Sequence, residues 1–498
     1  KEDYDVLVSR MYDNQLVIKS LLLKETGKVK IQIEASGDEK LKANYQELVK
    51  MRETIVQQYR LSADDLTDSG IDLPKMEKEA NELEQKITSA SNITVEKKSA
   101  AMSWKDLQSK LKGDECVVEI VRTKYFTKGD FNDSVYYSAL IIDKTCKTPK
   151  FIFIKNGNTL ENQALLNYTG SIKAKKKDDL SYNYFWKPLK EALGASKKIY
   201  FSSDGAYQLL NIYTLQNPET GKYLIEEMNI VLLTNSQDLL QEPSAKLSKT
   251  AEIFSYPDYD FIASTTEVKS SEPLSRYGFM NLQELPGTKL EADTIMKILQ
   301  LKNWKVNEHL QAQATEDAIK KIKAPQILHI ATHGFFLRDV DEKANDVNGM
   351  QASIARENPL LRSGLMLAGS AAIARDSMVD NTTEDGILTA YEAANLDLGN
   401  TDLVVLSACE TGLGEVHIGQ GVYGLQRAFM VAGAKSVVMS LWVVDDFATQ
   451  ELMSNFYREW LKDPSSDNRQ KAFRTAQQKL KEKFPDPYYW GAFVMIGK

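Results

Sequence analysis

Hydrophobic and polar positions change period once along this chain, and that change divides it. Leu41, Tyr45, Leu48, Ile55 and Tyr59 recur at three- and four-residue steps, the stripe of a long amphipathic helix. Met76, Ala80, Leu83 and Ile87 repeat the pattern, with Pro74 in a first helical turn and Gly70 between the two stripes. Residues 1–98 therefore predict a helical hairpin region, running into a linker at Lys97–Ala101. Ser103-Trp104-Lys105-Asp106 then has the form of a capping box. From Cys116 the helical stripe gives way to short apolar runs: Cys116–Val121, Tyr136–Ile142, Phe151–Ile154, Ile199–Ser202 and Ile230–Leu233. Helical patterns around Leu160–Leu166 and Trp186–Leu193 lie between them. Strands alternating with helices predict an α/β fold with a mainly parallel sheet flanked by helices and right-handed crossovers.

A polar stretch at Ser264–Glu272 suggests a second boundary, giving one α/β unit over 113–275 and another over 283–498. In the second unit, three apolar strands each end on chemically capable residues. Ile327–Thr332 leads to His333-Gly334, Leu403–Ser407 leads to Ala408-Cys409, and Ser436–Trp442 leads to Asp445-Asp446. In open α/β sheets, ligands bind outside the carboxyl ends of the strands. A thiol has a pKa of about 8.5 and needs an imidazole or positive surroundings to act as a nucleophile at neutral pH. His333 and Cys409 are the pair this pattern offers. The oxyanion of an acyl-transfer intermediate needs N–H donors, for which Gly334 and Cys409 are the candidates.

Composition narrows the field. The 498 residues exceed one ordinary domain, the formal charge of −7 is mildly acidic, and no basic block interleaves with aromatics, so nucleic acid is not the expected partner. Three cysteines, Cys116, Cys146 and Cys409, are too few for a disulfide framework and favour a reducing, cytoplasmic setting. No run approaches the ~18 apolar residues of a membrane span, and no signal peptide is visible. The chain starts at Lys1 rather than Met, which suggests a fragment. No cofactor or metal is expected.

Other motifs compete. Gly419-Gln420-Gly421-Val422-Tyr423-Gly424 matches G-x-G-x-x-G, but the Cys409 loop separates it from the preceding strand, against a dinucleotide fingerprint. Ser203-Asp204-Gly205 follows a strand and reads as a tight turn. His329 and His333 could pair on a metal; His329 is better read as a packed, hydrogen-bonded sheet residue. Arg338–Arg356 and Gly369–Asp385 are long loops of the kind that carry function.

Several of these segments together resemble the CHAT domain, a caspase-like group of cysteine peptidases related to separases. The matching text is His329-Ile-Ala-Thr-His333-Gly334, Asn358-Pro-Leu-Leu-Arg362-Ser-Gly364-Leu, Glu384-Asp-Gly-Ile-Leu-Thr-Ala-Tyr-Glu-Ala-Ala394, Leu406-Ser-Ala-Cys409-Glu-Thr-Gly412, Gly421-Val-Tyr-Gly-Leu-Gln-Arg427 and Ser440-Leu-Trp442-Val-Val-Asp445-Asp446. The resemblance implies an inactive caspase-like half followed by an active half, catalytic His333 and Cys409, and regulated cleavage of a protein partner. It also implies upstream tetratricopeptide repeats, absent here, through which a regulatory protein partner would act. Many relatives carry an acid two residues before the nucleophile, where this chain has Ser407; separases carry one just after a Leu-Trp strand. Asp446 matches the separase position, with Asp445 as runner-up, so the S1 pocket is expected to favour Arg or Lys. One of the two aspartates is expected to cap the following helix. Arg338, Arg356 and Arg375 are candidate autocleavage sites. The alternative is a non-catalytic caspase-like interaction module.

Overall fold

The computed structural model describes residues 2–58, 70–90, 102–127, 130–240, 248–261, 282–336, 346–347, 350–351, 359–371, 384–408, 415–417 and 421–498. The strands are β1 (Glu115–Thr127), β2 (Asp130–Asp143), β3 (Lys150–Ile154), β4 (Lys198–Ser202), β5 (Asn229–Leu233), β6 (Thr250–Pro257), β7 (Lys305–Gln311), β8 (Ile327–Ala331), β9 (Gly334–Phe336), β10 (Asp346–Val347), β11 (Met350–Gln351), β12 (Ser363–Met366), β13 (Ile387–Thr389), β14 (Leu403–Ser407), β15 (Glu415–His417), β16 (Gly421–Tyr423), β17 (Ser436–Ser440) and β18 (Phe493–Gly497). The main helices are α1 (Glu2–Ala35), α2 (Glu39–Gln58), α3 (Leu73–Ala90), α4 (Trp104–Lys110), α5 (Leu165–Lys173), α6 (Lys187–Leu193), α7 (Pro286–Gln300), α8 (Glu316–Lys320), α9 (Leu425–Val431), α10 (Asp446–Trp460) and α11 (Ser466–Lys483).

Among the described residues, eleven strands form one sheet in the order β3-β2-β1-β4-β5-β18-β17-β14-β8-β6-β7. Pairing is antiparallel at β3–β2, β2–β1 and β18–β17 and parallel elsewhere, so the fold is mixed α/β with a large, mostly parallel sheet. Strands from both sides of the boundary predicted near residues 275–283 share this one sheet. β6, which precedes that boundary in the chain, lies between β8 and β7. The last strand, β18, is inserted at the middle, parallel to β5 on one side and antiparallel to β17 on the other. Asn211 Nδ2 donates to Gly491 O at 2.8 Å, tying the approach to that strand to the first half of the chain.

Both faces of the sheet are covered, which is why its strands read as near-continuous apolar runs. Along β1, Cys116, Val118 and Ile120 face Tyr168, Phe185, Trp186 and Leu189. Val117 and Val121 face the other way, towards Tyr12 and Leu16 of α1 and Trp104 and Leu107 of α4. The capping box of α4 is present, with Ser103 N donating to Asp106 Oδ2 at 2.7 Å. The sequence stripes close the expected hairpin: Leu41, Leu48 and Ile55 of α2 meet Leu73, Ala80 and Ile87 of α3. Among the described residues no helix is long and apolar enough to cross a membrane.

Helix α1 is held by a charge as well as by apolar contacts. Lys19 Nζ stands 2.5 Å from Glu119 Oε1 on β1, with both side chains buried, and it also donates to Ile120 O, Ser202 Oγ and Ser203 O. Ser202 and Ser236 donate to the two oxygens of the same carboxylate. Removing one member of a buried ion pair leaves an uncompensated charge, at a cost of about 3–5 kcal/mol. Lys19→Met is therefore expected to lower unfolding stability by about that amount, read as the denaturant midpoint; a midpoint unchanged from wild type would show that the pair carries no such load. Beside it, Asp204 caps a turn by accepting from Gly205 N at 2.9 Å, and Gly205 has a φ of 59°. Where the sequence predicts a tight turn at Ser203-Asp204-Gly205, Asp204 is the N-cap of a short 3-10 helix, Gly205–Gln208.

Candidate active site

Strands β8 and β14 are neighbours, parallel, with Val405 paired to His329 and Ser407 paired to Ala331. Their carboxyl ends therefore meet at one rim. Every residue of both strands is buried, so the rim is where each chain first regains freedom. Beyond β8, Thr332 donates through Oγ1 to Met366 O and shares a 3.0 Å hydrogen bond with the Tyr259 hydroxyl. Met366 N donates to His333 O at 2.9 Å. The backbone on both sides of the imidazole is thus fixed.

The His333 ring packs against Tyr259, with centroids 5.4 Å apart, and its Nε2 lies 2.9 Å from Gln283 O. A carbonyl oxygen only accepts, so Nε2 carries the hydrogen. In the neutral ring, Nδ1 then holds the free lone pair. Gly334 opens β9, paired with Leu365 of β12. On the neighbouring strand, Ser440 Oγ donates to Ala408 O at 2.5 Å, anchoring the residue before the candidate nucleophile. Cys409 itself lies outside the described residues, as do Arg338, Arg356 and Arg375.

Asp445 accepts from Ala448 N at 2.9 Å and is the N-cap of α10. Asp446 is the next residue and is exposed. A Cβ built on Gly287 would lie 3.0 Å from Asp446 Cβ and 3.2 Å from its Oδ2, so the first turn of α7 runs directly along this carboxylate. The Asp446 carboxyl is held above the ordinary aspartate value, chiefly by partial withdrawal from water, then by the charges of Asp445 and Glu291. His333 pulls the other way, which places imidazole and carboxylate in one electrostatic neighbourhood.

Beneath the rim sits a buried polar group. Glu291 of α7 is 2 % exposed. Its Oε1 stands 2.9 Å from His329 Nε2, off the line of a good hydrogen bond, while Oε2 accepts from Ser407 Oγ at 3.0 Å. His329 Nδ1 contacts the Tyr457 hydroxyl at 3.2 Å. Burial, then the charge of Glu291, keep that hydroxyl well above the usual tyrosine range. His329 and His333 thus hold separate partners. Ser407 donates into this group. Gln283, Gly287 and Glu291 were not among the residues singled out from sequence. A signal existed for one of them: Glu291 stands beside Ala292 on the core-facing stripe Thr288, Ala292, Ile295, Leu299, where an acid is out of place.

Away from the rim, Glu316, Glu384 and Glu392 converge closely enough to hold a cation, but Lys320 Nζ fills the space, 2.8, 2.7 and 3.2 Å from them. Of the G-x-G-x-x-G match, Gly419 lies outside the described residues; Gly421–Tyr423 is strand β16, paired with β15, and Gly424 precedes α9.

A mostly parallel α/β sheet with polar residues gathered at the ends of adjacent central strands defines the class. Within it, the chain belongs to the CHAT domain family, whose model matches residues 181–498. Over 112 residues it is 33% identical to tetratricopeptide repeat protein 28 of Mus musculus, covering 22% of this chain and 4% of that protein. The human protein of the same name matches equally, at 33% over 112 residues. The chain therefore spans only a small part of these curated relatives. Among solved structures, the Arg specific cysteine proteinase gingipain R aligns with a TM-score of 0.38 at 9% identity, covering 68% of this chain and 75% of that one. The separase–securin complex of Saccharomyces cerevisiae aligns with a TM-score of 0.33 at 10% identity, covering 64% and 17%.

Proposed function

We propose that this chain is a regulated cysteine endopeptidase that cleaves a protein partner after Arg or Lys. The observation that carries the reading is the pairing of β8 with β14, parallel and in register, two residues short of His333 on one strand and of Cys409 on the other. In this mechanism His333 takes the thiol proton at Nδ1, and the Cys409 thiolate attacks the scissile carbonyl. The backbone N–H groups of Gly334 and Cys409 hold the oxyanion. The imidazolium returns its proton to the leaving amine, and water hydrolyses the thioester. Asp446 receives the basic P1 side chain. The hydrogen bond from Nε2 to Gln283 O supports this tautomer, because it leaves Nδ1 as the base.

Selective alkylation of native protein tests the nucleophile. Cys116 is fully buried and burial pushes its thiol up to about 11, while burial also raises Cys146. A pKa near 11 leaves about one thiolate in ten thousand at pH 7. Iodoacetamide at neutral pH should therefore label Cys409 first, and His333→Ala should slow that reaction. Equal labelling of all three cysteines in folded protein would count against an activated Cys409.

A further inference from the structure

We propose that Glu291 is a positioning residue that fixes the spacing of the two strand ends bearing His333 and Cys409. The proposal rests on the peptidase reading above and adds to it the part that holds the dyad in place.

A carboxylate has two oxygens, and here each serves a different strand. Oε1 faces His329 on β8, four residues before His333. Oε2 takes the Ser407 hydroxyl on β14, two residues before Cys409. Lateral movement of either strand end stretches one contact or the other. Glu291 is thus a strut across the pair, seated directly under the rim. Burying an acid in an apolar core is costly unless it is paired, and an apolar side chain at 291 could fill the volume without linking the strands. The Tyr457 hydroxyl against His329 Nδ1 holds the far side of the imidazole, so the strut has a fixed footing on α10 as well.

The same stretch of chain reaches the rest of the site. Gln283 O, just before α7, orients His333, and Gly287 in its first turn lies against Asp446. Residues 283–291 therefore touch the base, the candidate S1 carboxylate and both strands under the dyad. Glu291 contacts no substrate, and its effect is on geometry. Misplacement of reacting groups by about 1 Å can cost about 100-fold in rate.

The experiment uses the whole chain with Glu291→Gln, Ser407→Ala and the double variant. Each is read by the pH profile of Cys409 alkylation with iodoacetamide and by kcat and KM on an Arg peptide. Glu291→Gln should lower kcat by about 10- to 100-fold while KM, set at Asp446, moves little. Cys409 alkylation should slow and its pH midpoint should rise towards that of a free thiol. Ser407→Ala should lose less, and the double variant should lose no more than Glu291→Gln alone, because both act through one link. If Glu291→Gln does not fold, Ser407→Ala decides: a kcat and alkylation midpoint equal to wild type overturn the proposal. A folded Glu291→Gln with wild-type kcat and midpoint also overturns it. Failure of the peptidase reading looks different: wild type itself would then match Cys409→Ala in cleavage and show no depressed alkylation midpoint.

Discussion

Cys409→Ala and His333→Ala should each abolish detectable proteolysis by this chain, with losses in kcat on the order of 10⁴- to 10⁶-fold. The reason is the division of labour across two adjacent strands. In the proposed mechanism the thiol of Cys409, two residues beyond Ser407 in the chain, supplies the bond-forming atom. The imidazole beyond β8, held through Nε2 by Gln283 O at 2.9 Å, would supply the base in that mechanism. Neither does useful chemistry without the other, so the double variant should be no worse than either single one. The measurement is cleavage of a protein or peptide library followed by mass spectrometry. Both residues follow the buried strands β8 and β14 in the chain rather than lying within them, so the variants should unfold at the wild-type denaturant midpoint; proteolysis that survives Cys409→Ala would place the nucleophile elsewhere.

The second large effect falls on specificity. Asp446→Asn should lower kcat/KM for substrates with Arg or Lys at P1 by about 10- to 150-fold, the loss of a charged hydrogen bond worth about 1.5–3 kcal/mol. Substrates with neutral P1 side chains should change little. Asp445→Ala should instead behave as a lost helix cap, costing about 1 kcal/mol of stability, because Asp445 holds Ala448 N. The acid limb of the pH profile provides a further check. Asp446 is raised above the ordinary value, so it protonates at a higher pH than a free aspartate as pH falls. kcat/KM reports the free enzyme, so the ratio of cleavage after Arg to cleavage after a neutral P1 residue, in which the dyad's own titration cancels, should decline on the acid side earlier than an ordinary carboxylate would require. Asp446→Asn should remove that decline. An unchanged decline, or an unchanged preference for Arg, would take Asp446 out of the pocket.

Much of this architecture was legible because local pattern and tertiary role agree. β14 was readable to the residue, since Leu403–Leu406 is apolar throughout, Ser407 closes the run, and both faces of a central parallel strand are buried. The capping box at Ser103 and Asp106 was readable from spacing, and Ser103 N does donate to Asp106 Oδ2 at 2.7 Å. The stripes of α2 and α3 meet as their periods require. β6 was not recognised: Thr250–Pro257 mixes Glu252 and Ser255 with its apolar residues, and those polar groups are explained only by distant partners. Glu252 meets Asn307 and His309 of β7, and Ser255 donates to Thr288 O. Nor does local pattern say that β18 enters the middle of the sheet, because strand order is set by long-range packing. The site shows the same division. His333 and Asp446 announce themselves by following apolar runs, whereas Gln283 acts through a backbone carbonyl that any residue could supply.

The most direct test is a crystal structure of the chain after reaction with a peptidyl electrophile carrying Arg at P1. The expected result is a covalent bond to Cys409 Sγ, with His333 Nδ1 roughly 3–4 Å from it and the guanidinium against Asp446. A Cys409 sulfur facing away from His333, or an adduct on Cys116 or Cys146 instead, would contradict the account.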